Sequence, residues 1–137
     1  MKKLLLPVDG SEASLHAVNF ALTHLHPGQG DEIHLLNVQL PIHGGFASHE
    51  HIERYQRGEA EQALAGARKL LTAHGLSGIE HIAVGQLGES IAHYAATHHV
   101  DQIVMGSRGL GSVSGLVMGS VAVKVVHLAH CPVTLVK

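Results

Sequence analysis

Five short apolar runs, spaced along the chain and parted by turns or by segments of helical periodicity, most constrain what this sequence can fold into. Lys3 to Val8, Asp31 to Val38, Ile79 to Val84, Asp101 to Met105 and Val133 to Val136 read as strands. After the first, Asp9-Gly10-Ser11 marks a turn, and Leu15, Val18, Leu22 and Leu25 recur at helical spacing until Pro27-Gly28. After the second, Pro41 to His51 is a polar connection into a long helix. That helix should carry Ile52, Tyr55, Ala60, Ala63, Leu64, Ala67, Leu70 and Leu71 on one face, pair Glu53 with Arg57, and end near Gly75. Leu87, Ile91, Ala95 and His98 continue as a third helix. Past Gly119 the signal is mixed. Val121, Val123 and Val125 alternate with Ala122 and Lys124 as a strand would. Ser120 nevertheless suits an N-cap, Cys131-Pro132 a terminator, and Val121, Val125 and Leu128 can share a helical face, so a helix is expected. Strands alternating with helices imply right-handed crossovers and an α/β fold. We expect one five-stranded parallel sheet of order 3-2-1-4-5, with helices on both faces. Ligands of such sheets bind beyond the carboxyl ends of the strands at the switch point, here between strands one and four.

The fourth strand delivers a stretch that cannot be core. Met105 to Val121 holds five glycines and four serines. So many glycines imply positive φ angles or a close approach of the backbone to something. A phosphate suits, because amide N–H groups in a Gly-rich turn form an anion nest and the following helix N-terminus adds partial positive charge. A flexible connector is the plainer alternative, although a structureless loop this long in a compact domain usually has a function. Two familiar phosphate motifs are excluded. The loop has no lysine before Lys124, as a Walker loop would need, and Gly109, Gly111 and Gly115 lack the G-x-G-x-x-G spacing and follow the wrong strand.

What is present is Gly106, two residues, Gly109, nine residues, then Gly119-Ser120. With Leu-Leu-Pro-Val-Asp-Gly-Ser near the start and Cys-Pro-Val-Thr-Leu-Val at the end, the chain resembles the universal stress protein family over nearly its whole length. The resemblance implies a Rossmann-like, adenine nucleotide alpha hydrolase-like fold over a single domain, 1–137, and also favours a helix after Ser120. It places the chain with ATP-binding members and implies ATP with Mg²⁺ as ligand. By the same resemblance Pro7, Val8 and Asp9 line the nucleotide site, backbone at Val38 meets the adenine, and Met105 and Val121 flank it. Gly106 and Gly109 would let ribose and triphosphate approach, while Gly119 and Ser120 would present N–H groups and a hydroxyl to the phosphates. Arg108 fills a variable family position, where it could reach a phosphate or remain a solvated charge. Asp9 could hold the magnesium ion or contact the nucleoside, or simply cap the first helix with Glu12. The last strand, Val133 to Val136, would pair antiparallel with a two-fold mate to give a homodimer.

No catalytic apparatus is visible beyond Asp9 and Arg108, so hydrolysis, if any, should be slow. A dimerisation or scaffold module that binds no nucleotide is the alternative, but such members typically lose the glycine spacing kept here. Enzymatic relatives of similar fold carry Ser-Gly-Gly-x-Asp-Ser or His-x-Gly-His signatures, and both are absent. Composition narrows the partners further. The formal charge is −2, which offers no basic field for nucleic acid. The N-terminal apolar run is broken by Pro7 and Asp9, so no membrane span or signal peptide is expected and the cytoplasm is the default setting. A lone cysteine, Cys131, excludes an internal disulfide and reads as a small buried hydrophobe. Fourteen histidines are the compositional oddity. His49-x-His51 invites a metal reading, but His43, His49 and His51 sit in a predicted loop without fixed geometry, and solvated side chains are the better expectation.

Overall fold

The computed structural model describes residues 1–45, 47–108 and 118–137. Strands β1 (Lys3–Pro7), β2 (Glu32–Gln39), β3 (Ile79–Val84), β4 (Gln102–Gly106) and β5 (Val133–Val136) form one sheet of order β3-β2-β1-β4-β5. All four pairings are parallel, as expected from the alternation of strands with helices. Helices α1 (Glu12–His24) and α2 (His49–Ala73) cover one face, and α3 (Leu87–Thr97) and α4 (Ser120–Leu128) cover the other.

This two-sided cover explains why the inner strands read as unbroken apolar runs. Successive side chains point to opposite faces, and here both faces are dry. Leu6, Val8, Leu35 and Val104 pack with Val18, Leu22, Leu64 and Leu71 on the α1–α2 side. Their neighbours Leu5, Leu36, Ile103 and Met105 pack with Ile91, Ala95 and Val125 on the α3–α4 side. One buried polar group interrupts that second layer. His34 Nε2 donates to Glu32 Oε1 at 2.9 Å, which leaves Nδ1 to accept from the Tyr94 hydroxyl at 2.7 Å. Burial, with the Glu32 charge adding to it, pushes the Tyr94 phenol above its ordinary range.

Several local expectations are corrected. Helix α2 begins at His49, capped by Ser48, whose side chain accepts from His51 N at 3.2 Å. His49 and His51 therefore lie in a helical first turn and not in a loop. Glu53 faces His49 at 3.0 Å, one turn back, and not Arg57. Tyr55 is 60% exposed, while the next residue, Gln56, is buried because its Nε2 donates to the Leu40 carbonyl at 2.9 Å. Asp9 does not cap α1. Ser11 does, accepting from Ser14 N at 3.1 Å, and Asp9 Oδ1 instead accepts from Ser11 N at 2.9 Å in the turn before it. At α4 the cap is Gly119, and Ser120 is already the first helical residue. The buried stripe of α4 is Ala122 and Val125, with Leu128 exposed. Cys131 is half-buried beside the α3–α4 core, and burial pushes its thiol up. Among the described residues no helix is long and apolar enough to cross a membrane.

Candidate functional site

Parallel strands of one sheet end together, and β1 and β4, whose connections leave in opposite directions, open a crevice where they end. A cleft of about 870 Å³ lies there, roofed by the N-terminal half of α2 and floored by the start of α4. Its size falls within the range of about 300–1,000 Å³ of small-molecule sites. Pro7, Val8 and Asp9 enter it from the end of β1, Val38 from β2, and Met105, Gly106 and Arg108 from the end of β4. Gly119, Ser120 and Val121 enter it from the start of α4. Residues about a hundred positions apart in sequence are thus brought to one cavity. Gly109 lies outside the described residues.

Hydrogen bonds fix the walls. Val8 N donates to Leu36 O at 2.8 Å, carrying the β1–β2 ladder one residue beyond the strand. Asn37, only 3% exposed, donates from Nδ2 to the Val8 carbonyl at 2.8 Å. Ser107 N donates to Val136 O at 2.9 Å, and Gly119 N donates to Ser107 O at 2.7 Å. The two ends of the Gly-rich segment are therefore stitched to each other and to the edge strand β5.

The start of α4 differs from those of α1 and α2. Ser11 and Ser48 cap those two helices through their side chains, whereas Gly119 has no side chain with which to cap α4. The first backbone bond of α4 runs from Val123 N to Gly119 O at 3.0 Å. The N–H groups of Ser120, Val121 and Ala122 find no acceptor among the described residues, and all three residues line the cleft. Those donors and the helix dipole make this wall a place for an anion.

Neither described glycine of the motif adopts a left-handed backbone. Gly119 has φ −64°, and the φ of Gly106 is not positive either. A Cβ on Gly106 would come within 3.0 Å of Ala13 Cβ and Ala13 O, so its hydrogen serves the packing of β4 under α1 as well as the cleft. Sequence reasoning missed other parts of the wall, among them Asn37 and Gln39 on β2, Leu40 and Ile42 beyond it, and Tyr55 and Glu59 on α2. A polar Asn37 inside an apolar strand was the available signal, since a buried amide needs a specific partner. Among the described residues no group of three or more His, Cys, Asp or Glu side chains could hold a metal ion.

A family model described as the Universal stress protein family matches residues 1–137. A universal stress protein of Methanocaldococcus jannaschii is 31% identical over 142 residues, covering 99% of this chain and 82% of the relative. Among solved structures, universal stress protein UspA from Lactobacillus plantarum superposes with a TM-score of 0.78 at 25% identity, covering 99% of this chain and 97% of that one. The universal stress protein from Archaeoglobus fulgidus in complex with dAMP gives a TM-score of 0.70 at 26% identity, covering 100% and 98%.

Proposed function

The chain belongs to the universal stress protein family, and on that premise we propose that it binds an adenine nucleotide, ATP with Mg²⁺, in the cleft at the strand ends and acts as a nucleotide-responsive homodimer. The observation that carries this reading is the N-terminus of α4, which turns three backbone donors without an acceptor among the described residues into the cleft. Phosphates sit against Gly119, Ser120 and Val121, with Arg108 and the segment from Gly106 to Gly109 completing their surround. The nucleoside extends across Pro7, Val8 and Asp9 towards Val38, between Met105 and the α2 wall. The complex of the Archaeoglobus fulgidus relative with dAMP supports the same ligand class.

The donor set fits magnesium. This ion takes oxygen ligands and is commonly held by one or two carboxylates together with substrate phosphates. Asp9 supplies a carboxylate in the cleft, and the phosphates would supply the other protein-independent ligands. Bound there, the ion would neutralise phosphate charge. Among the described residues of the cleft, Asp9, Tyr55, Glu59 and Arg108 are the groups that could move a proton or meet a transferring phosphoryl group, and on this reading turnover is at most slow. The protein then works through conformation and partners, in a cytoplasmic setting.

Calorimetric titration of nucleotide-free protein with ATP and Mg²⁺ tests the reading. One saturable site per chain is expected, and the absence of binding heat at millimolar ATP would overturn it in favour of a dimerisation module. The homodimer has its own test. Strand β5 is a short apolar edge whose four residues are only half-buried, which leaves one side of its ladder open to a two-fold mate. Light scattering at micromolar concentration is expected to give twice the chain mass, and a monomer mass would count against the pairing.

A further inference from the structure

Asn37 and Gln39 lie two positions apart on β2, so their side chains share the sheet face that looks towards α2. Both line the cleft. Their amides are oriented by the protein itself. The Val8 carbonyl can only accept, so the Asn37 group facing it at 2.8 Å must be Nδ2. Asn37 Oδ1 is then turned towards Gln39 and accepts from Gln39 Nε2 at 2.6 Å. That bond points the Gln39 oxygen away from Asn37, and no other described residue hydrogen-bonds the Gln39 side chain. A main-chain carbonyl thus sets, through two side chains, the presentation of one acceptor at the end of β2.

From this relay we infer that Gln39 Oε1 is a specificity-determining acceptor, reading the exocyclic amino group of a 6-aminopurine and disfavouring a 6-oxopurine. The inference rests on the nucleotide reading of the cleft. With phosphates on α4 beside the end of β4, the base must lie across β1, and strands spaced about 4.8 Å apart put β2 about 10 Å away, within reach of a nucleoside. The half-apolar lip there suits a planar base, since Val38, Leu40 and Ile42 flank Gln39 on the cleft wall. An amino group at C6 donates to Oε1. A carbonyl at C6 would instead set two acceptors against each other at Oε1, since the bond from Nε2 to Asn37 holds the amide with its oxygen towards the base.

ATP and inosine triphosphate, which differ at C6 and in the N1 proton, are the probes. With Mg²⁺ present, the parent chain is expected to bind ATP about tenfold more tightly than ITP, the worth of one hydrogen bond made rather than opposed. Gln39→Met keeps length and removes the acceptor, and is expected to bring the ratio close to one mainly by weakening ATP. Gln39→Lys offers only donors and is expected to turn the preference towards ITP, a gain that a merely structural role of Gln39 could not produce. Position 39 is half-exposed at a strand end, and cooperative melting of each variant checks that it is folded. An unchanged ATP-to-ITP ratio in folded Gln39→Met overturns this inference alone. A parent that binds neither nucleotide overturns the reading of the cleft, and this inference with it.

Discussion

Gly10→Val is expected to lower the free energy of unfolding by about 3 kcal/mol, the sum of a backbone strain and a packing strain that arise at one atom. Gly10 has φ +85°, a left-handed conformation that costs a residue with a Cβ about 1–2 kcal/mol. A Cβ built there would also lie 3.3 Å from Ala63 Cα and 3.6 Å from Ala63 Cβ, and branching adds two methyl groups in that direction. Overpacking of this kind costs about 1–3 kcal/mol. For a chain of this length the melting temperature should fall by about 10 °C. The turn is hard to move, because Asp9 on one side belongs to the cleft and Ser11 on the other caps α1. Nucleotide affinity should fall with stability. Gly10→Ala separates the two strains, since it keeps the backbone cost and sheds most of the crowding, and should lie between parent and Gly10→Val. Urea unfolding of all three decides it. A Gly10→Val chain within 1 kcal/mol of the parent would mean that α2 can draw back from the turn.

That prediction concerns a glycine whose importance could not be read from the sequence. The chain advertises its glycines between Met105 and Val121, where their number suggested positive φ angles. Of the described ones, Gly106 and Gly119 have none, and Gly106 is held by the approach of Ala13 from α1. The left-handed residue that matters to both helices is Gly10, and its constraint comes from Ala63, more than fifty positions away. Local patterns carry no information about such a contact.

The strands were legible for the opposite reason. A parallel strand covered on both faces must be apolar at nearly every position, so Leu4 to Leu6 and Ile103 to Met105 declare themselves without any knowledge of partners. The start of α2 was not legible, because its first turn, His49-Glu50-His51, is polar on all sides and only the Ser48 cap marks the boundary. The exchange of Tyr55 for Gln56 on the inner face shows the limit from another side. Periodicity favours burying the tyrosine, but the Leu40 carbonyl needs a donor, and that need is set by where the loop after β2 runs. The same division holds in the cleft. Residues at strand ends could be placed from topology, whereas Tyr55 and Glu59 reach it only through the way α2 lies across the sheet.

Gly119→Asp should abolish nucleotide binding while leaving the fold as stable as before or slightly more so. The backbone at Gly119, φ −64° and ψ 154°, is the extended conformation that N-cap residues of any type adopt. An aspartate there needs no rearrangement, and its carboxylate would accept from the N–H groups of Val121 or Ala122, which have no acceptor among the described residues. Against a glycine cap the gain is only about a few tenths of a kcal/mol, and the added charge suits the positive end of the helix. The same carboxylate occupies the donors that a phosphate would use and places a negative charge where the phosphates sit, so affinity for ATP should fall at least about a hundredfold. Gly119→Asn divides the two effects, because its amide oxygen competes for the donors without the charge and should cost less. Opposite signs in stability and affinity identify a helix end left uncapped for a ligand. A structural glycine would lose both together on substitution. A Gly119→Asp chain that binds ATP like the parent would therefore put the phosphates elsewhere in the cleft, and a chain that loses stability along with binding would make Gly119 a packing residue first.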